Sequence, residues 1–331
     1  MAFRSQVRAI FVAIWPALPG LLRRHYWPTR SLQLLGLAAP FLPPGPELTP
    51  PISNPGPVAA MSAELTAMID LYRRGNIDNF VTGSLLALQD RDVAQTMLPF
   101  LQKIFAAGAV NDSNILMHVS EFRNIYLSSP IQNNHGGANY TTGLTIFLIA
   151  RHFDPALVVE SGVLRGMSSM IFRAALPRAE ILAFDLNFSL LHRSENVEYH
   201  QCDWMSVDIM ATNSALAYFD DHVSQAKRVV EAHCRGFRYL ILDDSWSWGA
   251  ISGCGGVPLP SIDMLMSHDI KVGDKIEWVE AGQLWTYTHD ESMSQLCRAA
   301  RKLIKVACDI PGLYRETGIA PTSALKFVEL Q

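Results

Sequence analysis

The sequence has few of the features that mark several protein classes. Its five cysteines are widely spaced and never form a CxxC pair, so the chain shows neither a disulfide framework nor a zinc motif. A formal net charge of -4 gives no electrostatic reason to expect a nucleic-acid partner, because nucleic-acid binding usually requires a basic face. These absences favour small-molecule chemistry in a reducing, cytoplasmic compartment.

A long hydrophobic run is also missing. The apolar run at 9–22 is about 14 residues long and contains Pro16 and Pro19, whereas a membrane-spanning helix needs about 20 residues. No small-residue cleavage site closely follows the run, which argues against a secretory signal. We therefore expect residues 1–25 to form an N-terminal extension or an interfacial helix that makes peripheral membrane contact.

The remaining composition is that of a globular protein. Of the 331 residues, 49% are hydrophobic and 18% are charged, which is enough apolar material for a full-sized core. A proline-rich stretch at 39–57 excludes helix and interior strand and is interpreted as a linker. The pattern divides the chain into an extension and linker at 1–58, a helical subdomain at 59–140 and an α/β domain at 141–331.

Short apolar runs alternate with helical patterns in the last of these regions. Alternation of this kind predicts a parallel sheet that is covered on both faces by helices. Beyond residue 245 we expect a glycine-rich loop, a hairpin at 277–289 around an Ala281-Gly282 turn, a helix at 292–307 and a final strand at 324–330. The five predicted strands of the alternating part lie at 156–162, 180–186, 197–204, 215–222 and 238–245.

The first predicted strand ends in Glu160 and continues through Gly162 and Gly166 into a helix that starts near Ser168. Glycines in such a turn let the backbone approach a ligand at the carboxyl edge of the sheet, where open α/β folds bind cofactors. The spacing is ExGxxxG, whereas a dinucleotide fingerprint requires GxGxxG. The motif therefore points away from a pyrophosphate-containing cofactor.

Acidic residues follow the other strands. Asp185 ends the second strand and Asp203 the third, while the fourth and fifth end in the acidic pairs at 220–221 and 243–244. Neighbouring strands lie about 4.8 Å apart, so the two pairs would place several carboxylates within reach of one hard cation such as Mg²⁺. The alternative is that these aspartates cap the helices that follow them.

This pattern resembles motif I of the class I S-adenosylmethionine (SAM)-dependent methyltransferases. The resemblance implies a Rossmann-like methyltransferase sheet with an antiparallel last strand, in which Asp185 contacts the ribose hydroxyls and Asp203 lies beside the adenine ring. The glutamate and glycines of the loop would hold the amino acid portion of SAM. The cofactor-binding residues implied in this way are Glu160, Gly162, Gly166, Ser168, Asp185 and Asp203.

The later acids resemble the metal site of catechol O-methyltransferase-like enzymes and of the cephalosporin hydroxylase and macrolide sugar O-methyltransferase group. The resemblance implies Asp221, Asp243 and Asp244 as metal ligands and Asp221 and His222 as catalytic residues, and Asp220 is the further catalytic candidate. The lysine that serves those enzymes as base is Ser224 here. Deprotonation would then fall to Asp220, to His222 or to metal activation of the acceptor hydroxyl.

The acceptor is expected to be a small molecule or sugar that carries a hydroxyl group. Trp246 and Trp248 directly follow the fifth strand and are predicted to line its pocket, whereas Trp278 and Trp285 are interpreted as hairpin partners. A homo-oligomer is compatible with this arrangement.

Two other functions stay open at this point. A nicotinamide-dependent oxidoreductase could use a similar sheet, although the ExGxxxG spacing and the lack of a Tyr-x-x-x-Lys pair in the second half disfavour it. A non-catalytic SAM-fold binding protein is the other. It agrees with the missing lysine and with a further resemblance, to uncharacterised bacterial methyltransferase-like proteins, which brings no activity with it.

Overall fold

The computed structural model describes residues 90–105, 111–131, 134, 136–211, 214–245, 258–267, 270–280, 283–317, 319 and 323–331. Within these, helices α1 to α8 span Asp90–Ile104, Asp112–Leu127, Tyr140–Phe153, Met167–Ala175, Gln225–Cys234, Ile262–Met266, Glu291–Leu303 and Tyr314–Thr317. Strands β1 to β9 span Leu157–Ser161, Glu180–Phe184, Glu198–His200, Ala215–Phe219, Tyr239–Leu242, Lys275–Glu280, Gln283–Thr288, Ile304–Asp309 and Lys326–Leu330.

A seven-stranded sheet organises the molecule, in the order β3-β2-β1-β4-β5-β9-β8. The pairs among β1 to β5 are parallel, while β9 runs antiparallel to both β5 and β8. The predicted Rossmann-like methyltransferase sheet with its antiparallel last strand is confirmed. Ser161 of β1 pairs with Phe184 of β2 and with Phe219 of β4, so the residues that follow these strands share one edge.

Alternate residues of each strand enter two separate cores. Val158 belongs to a cluster formed with helices α1 to α4, whereas its neighbour Val159 belongs to a cluster on the other face with α5, α6 and α7. This two-sided burial explains why the strands are continuous apolar runs in the sequence. The helices α1 and α2 share the first core with the sheet.

The predicted helix at 292–307 is wrong in its last part. Helix α7 ends at Leu303, and Ile304–Asp309 forms β8, which pairs with β9. Helical spacing continues through this segment, so only the distant partner strand reveals its conformation.

The late hairpin forms as predicted. Strands β6 and β7 flank residues 281 and 282, and Trp278 pairs with Trp285 across the two strands. The two indole rings stack at a centroid distance of 6.3 Å. Trp278 and Trp285 are therefore cross-strand partners.

Several predictions lie outside the described residues. They are the N-terminal extension with its interfacial segment, the proline-rich linker, the start of the helical subdomain, the glycine-rich loop after residue 245, and the pocket residues Trp246 and Trp248. Among the helices that the structure describes, none has the length and apolar character needed to cross a bilayer.

Candidate active site

The loop between β1 and α4 is shaped by two glycines in the left-handed region. Gly162 has φ +94° and Gly166 has φ +84°, which a residue with a Cβ rarely adopts. A Cβ on Gly162 would lie 2.8 Å from the amide nitrogen of Asp221 and even closer to the carbonyl of Asp220. The ExGxxxG spacing therefore allows this loop to pack directly against the turn that follows β4.

Asp185, at the end of β2, supports the same loop. Its Oδ2 accepts hydrogen bonds from the amides of Val163 and Leu164, both at 2.9 Å. Its Oδ1 accepts from the Asn187 amide at 3.0 Å. Oδ2 already accepts two hydrogen bonds, whereas Oδ1 accepts one and can accept another from a ribose hydroxyl.

Glu160 lies beneath the loop and is fully buried. The hydroxyls of Ser168 and Ser169, in the first turn of α4, donate to its two oxygens. Burial raises the pKa of Glu160 to about 7 although both hydrogen bonds lower it. The predicted residues Glu160 and Ser168 are thus in contact at the base of the loop.

Asp203, after β3, forms an ion pair with a buried arginine. Arg228 of α5 places Nη2 2.8 Å from Asp203 Oδ2, while the Asp203 Oδ1 accepts from the Met205 amide at 2.8 Å. Burial would raise the pKa of Asp203, but its bonds to Arg228 and to the Met205 amide hold it below the usual value. Asp203 is therefore a fixed, charged group at this edge.

Asp220, His222 and Asp244 come together at the ends of β4 and β5. One ligand atom from each lies within 4.8 Å of the others, with His222 Nε2 3.7 Å from Asp244 Oδ2. His222 and Asp244 adopt left-handed backbone conformations with φ of +56° and +53°, which are uncommon for residues other than glycine. Burial and then repulsion from Asp243 and Asp244 raise the pKa of Asp220 well above its ordinary value.

Asp243 faces inward beside this group. The Tyr218 hydroxyl donates to Asp243 Oδ2 at 2.6 Å, and the Asp244 amide donates to Oδ1 at 2.7 Å. Burial and the neighbouring Asp244 carboxylate raise the pKa of Asp243 to about 6. Tyr218 and Asp243 therefore form a buried layer under the partly buried carboxylates of Asp220 and Asp244.

Asp221 also points away from the group. Its Oδ2 accepts from the Ser161 hydroxyl at 2.6 Å and from Arg228 Nε at 2.9 Å. Of the predicted metal ligands Asp221, Asp243 and Asp244, the structure thus brings only Asp244 into the cluster, together with Asp220 and His222. The Asp221 carboxylate lies instead against the guanidinium of Arg228, whose charge attracts it.

Two further residues of the site were not predicted. Arg228 and Gln225 are buried on α5, where the Gln225 side chain donates to the Asp243 carbonyl at 2.5 Å and accepts from the Ile262 amide at 2.8 Å. Their spacing of three places both on the face that carries Ala232. A charged residue on the apolar face of a crossover helix is the signal that could have revealed Arg228.

Comparison with known proteins gives only distant likenesses. None of the protein-family models matches the chain, and neither does any of the curated proteins. A solved structure of cmcI-N160 with S-adenosylhomocysteine (SAH) is 21% identical over 31% of this chain and 60% of that one, with a TM-score of 0.28. The assignment of the fold rests on the strand order described above.

Other solved structures cover more of the chain at lower identity. The O-methyltransferase TomG from Streptomyces achromogenes, in complex with SAM, is 12% identical over 73% of this chain and 99% of that one, with a TM-score of 0.37. An O-methyltransferase from Bacillus cereus in complex with SAH is 13% identical over the same shares, with a TM-score of 0.36.

Proposed function

We propose that this chain is a SAM-dependent methyltransferase that transfers a methyl group to a hydroxyl of a small molecule or sugar. The observation that carries the proposal is the contact between the β1–α4 loop and the turn after β4. Gly162 leaves no space for a side chain against Asp220 and Asp221, so a cofactor on the loop would adjoin Asp220 and His222 directly. In-line transfer to oxygen requires this proximity.

The residues of the loop would bind the cofactor by its two ends. The methionine portion would lie over Glu160 and the two left-handed glycines, while Asp185 and Asp203 would accept from the ribose and adenine. SAM, when bound, supplies a methyl group on a positively charged sulfonium. The acidic side chains gathered at this edge would complement that charge.

Asp220 and His222 are the groups proposed to receive the proton of the acceptor. Ser224, which stands in the place of the catalytic lysine, accepts from the Lys227 amide as the N-cap of α5 and is too short to replace an amine. One ligand atom of Asp220 and one of His222 lie within 4.8 Å of each other, and in the proposed function these two side chains would flank the acceptor oxygen. Either can accept a proton across a hydrogen bond.

A divalent cation fits the same group of side chains. Asp220, His222 and Asp244 would hold it, and a positive charge there would offset the repulsion among the carboxylates, which together with burial raises the pKa of Asp220. Two carboxylates suit Mg²⁺ or Mn²⁺, and the imidazole shifts the preference toward Mn²⁺. With the cation bound, Asp220 and His222 would be its ligands, and the cation would orient the acceptor oxygens and acidify the hydroxyl in place of proton transfer to these two side chains.

Isothermal titration calorimetry with SAM, SAH and NAD tests the cofactor proposal. We expect SAM and SAH to bind and NAD not to bind. We expect Asp185→Asn to lower the affinity for both SAM and SAH. Leu190→Ala alters an exposed residue of the same region and serves as the control. Binding of NAD without SAM or SAH would support the oxidoreductase. If neither SAM nor SAH binds at millimolar concentration, the proposal is contradicted.

A non-catalytic SAM-binding protein is the second candidate. Two observations favour it. Ser224 stands where the catalytic lysine would be, and the Asp221 carboxylate is already engaged by the guanidinium of Arg228. An assay for transfer of the tritiated methyl group from labelled SAM to catechols, flavonoids or sugars separates the methyltransferase from the non-catalytic protein. Tight SAH binding without transfer to any acceptor would support the second.

A further inference from the structure

Arg228 joins the turns that follow β3 and β4. The Arg228 side chain is 1% exposed and forms ion pairs with Asp203, Asp221 and Glu231 at 2.8, 2.7 and 2.6 Å. It lies over the Phe219 ring, 5.7 Å from the centroid. Burial would lower the pKa of Arg228, but these carboxylates raise it, so the group stays charged.

The two bridged aspartates belong to different parts of the proposed site. Asp203 lies at the end expected to hold adenine, and Asp221 lies in the turn that carries Asp220 and His222. In the sheet, β3 and β4 are separated by β2 and β1, so no ladder hydrogen bond connects their ends. The guanidinium provides the direct link, because its Nη2 lies 2.8 Å from Asp203 Oδ2 and 2.7 Å from Asp221 Oδ2, while its Nε donates to Asp221 Oδ2 at 2.9 Å.

We infer that Arg228 is a positioning residue that aligns the adenine-binding acid Asp203 with the acceptor-side turn at Asp221. The inference rests on the proposed function. Arginine suits the role because its planar fork serves two carboxylates at fixed angles, whereas the ammonium of lysine has no such geometry. Asp203 can only accept hydrogen bonds, so its partner on the ligand would be the 6-amino group of adenine.

Calorimetry with SAH tests the inference on the full chain without added metal. Arg228→Met should weaken SAH binding by about tenfold or more, because Asp203 loses its orientation and its charge partner. Arg228→Lys keeps the charge and should fall between the wild type and the methionine variant. Lys227→Met removes a charge from the same helix at a 53% exposed position and should leave the affinity within about twofold.

Two measurements separate positioning from plain structural support. The double variant Asp203→Asn with Arg228→Met should bind SAH no more than about twofold more weakly than the weaker of the two single variants. The two effects should not add, because both substitutions disrupt the same contact between residue 203 and the ligand. Adenosine should lose affinity in Arg228→Met, while purine riboside, which lacks the 6-amino group, should not. A structural role alone would weaken both nucleosides equally.

The outcomes distinguish this inference from the proposed function. If the wild-type chain binds SAH and both Arg228 variants bind it equally well with a normal circular dichroism spectrum, Arg228 is not a positioning residue and the function stands. If the wild type binds no SAH, the proposed function itself fails. If Arg228→Met does not fold, Arg228→Lys decides. An unchanged affinity of Arg228→Lys for SAH overturns the inference, and a loss of its affinity for adenosine but not for purine riboside supports it.

Discussion

Glu160 has an unusual environment for an acidic residue. It is fully buried, its hydrogen-bond donors are the hydroxyls of Ser168 and Ser169, and burial raises its pKa from 4.5 to about 7. Because the folded-state pKa is the higher one, the folded chain binds this proton more tightly than the unfolded chain does. The contribution of Glu160 to stability is therefore full below pH 4.5 and is lost as the pH rises through about 7.

Glu160→Gln should remove this pH dependence. Between about pH 5 and pH 8, the free energy of unfolding of the variant should rise relative to wild type by roughly 2 kcal/mol. Urea unfolding at four pH values measures the difference. Glu180→Gln, at an exposed position that begins β2, is the matched control and should follow the wild type at every pH.

The acid cluster gives a prediction about metal ligands. Asp244→Asn and His222→Ala should each lower the affinity for Mn²⁺ by about tenfold, since each removes a donor atom. Asp221→Asn should change it by less than about threefold, because the Asp221 carboxylate is already engaged by Ser161 and Arg228. Electron paramagnetic resonance of free Mn²⁺ measures the affinity; equal losses in all variants would restore Asp221 to the ligand set.

The roles of individual acids were only partly predictable. Strand-terminal aspartates are visible as letters after apolar runs, so the edge on which they gather followed from the sequence. Which of them face outward did not follow, because Asp221 is turned by Arg228, seven residues further along and on another element. The burial of Arg228 in turn depends on Asp203, which is 25 residues away.

At the scale of elements, the β1–α4 loop depends on close packing at Gly162. Gly162→Ala should destabilise the fold by about 3 kcal/mol or more, because the new Cβ adds a clash with backbone to the left-handed strain. Gly273→Ala has a similar φ of +100° but meets nothing within 4 Å, so it should cost only about 1 kcal/mol.

Urea unfolding of both variants isolates the packing term, since the backbone strain is common to the two. Gly162→Ala should also abolish SAH binding, whereas Gly273→Ala should retain it. Equal destabilisation would show that the approach of the loop to Asp220 is adjustable.

Element prediction succeeded where local pattern and tertiary environment agree. The parallel strands are apolar on both faces and are bounded by turn residues, so β1, β2, β4 and β5 were visible as runs. Strand β8 was missed because its residues are partly exposed and continue the helical spacing of α7. Its conformation is determined by pairing with β9, about 20 residues later.

At the scale of the whole molecule, α1 and α2 pack into the core that covers one face of the sheet. Phe122 of α2 is fully buried, with ring centroids 5.2 Å from Tyr140 and 5.4 Å from Phe147. Phe122→Ala should lower the free energy of unfolding by about 3 to 5 kcal/mol. The exposed Met117→Ala on the same helix should change it by less than about 0.5 kcal/mol.

Hydrogen exchange tests whether these helices unfold together with the sheet. In the Phe122→Ala variant, amides of β4 should lose protection in step with those of α2, because a shared core makes the two a cooperative unit. Loss of protection confined to α1 and α2 would instead make them a separate unit, as the predicted boundary at residue 140 implies.

The position of β9 affects how the chain can fold during synthesis. Lys326–Leu330 is made after every other strand described here, yet it lies between β5 and β8. Until it emerges from the ribosome, β5 and β8 both present unpaired edges that can join other chains. Nascent chains stalled before residue 326 should therefore depend on chaperones, and this dependence should end once Lys326–Leu330 has emerged and paired with both strands.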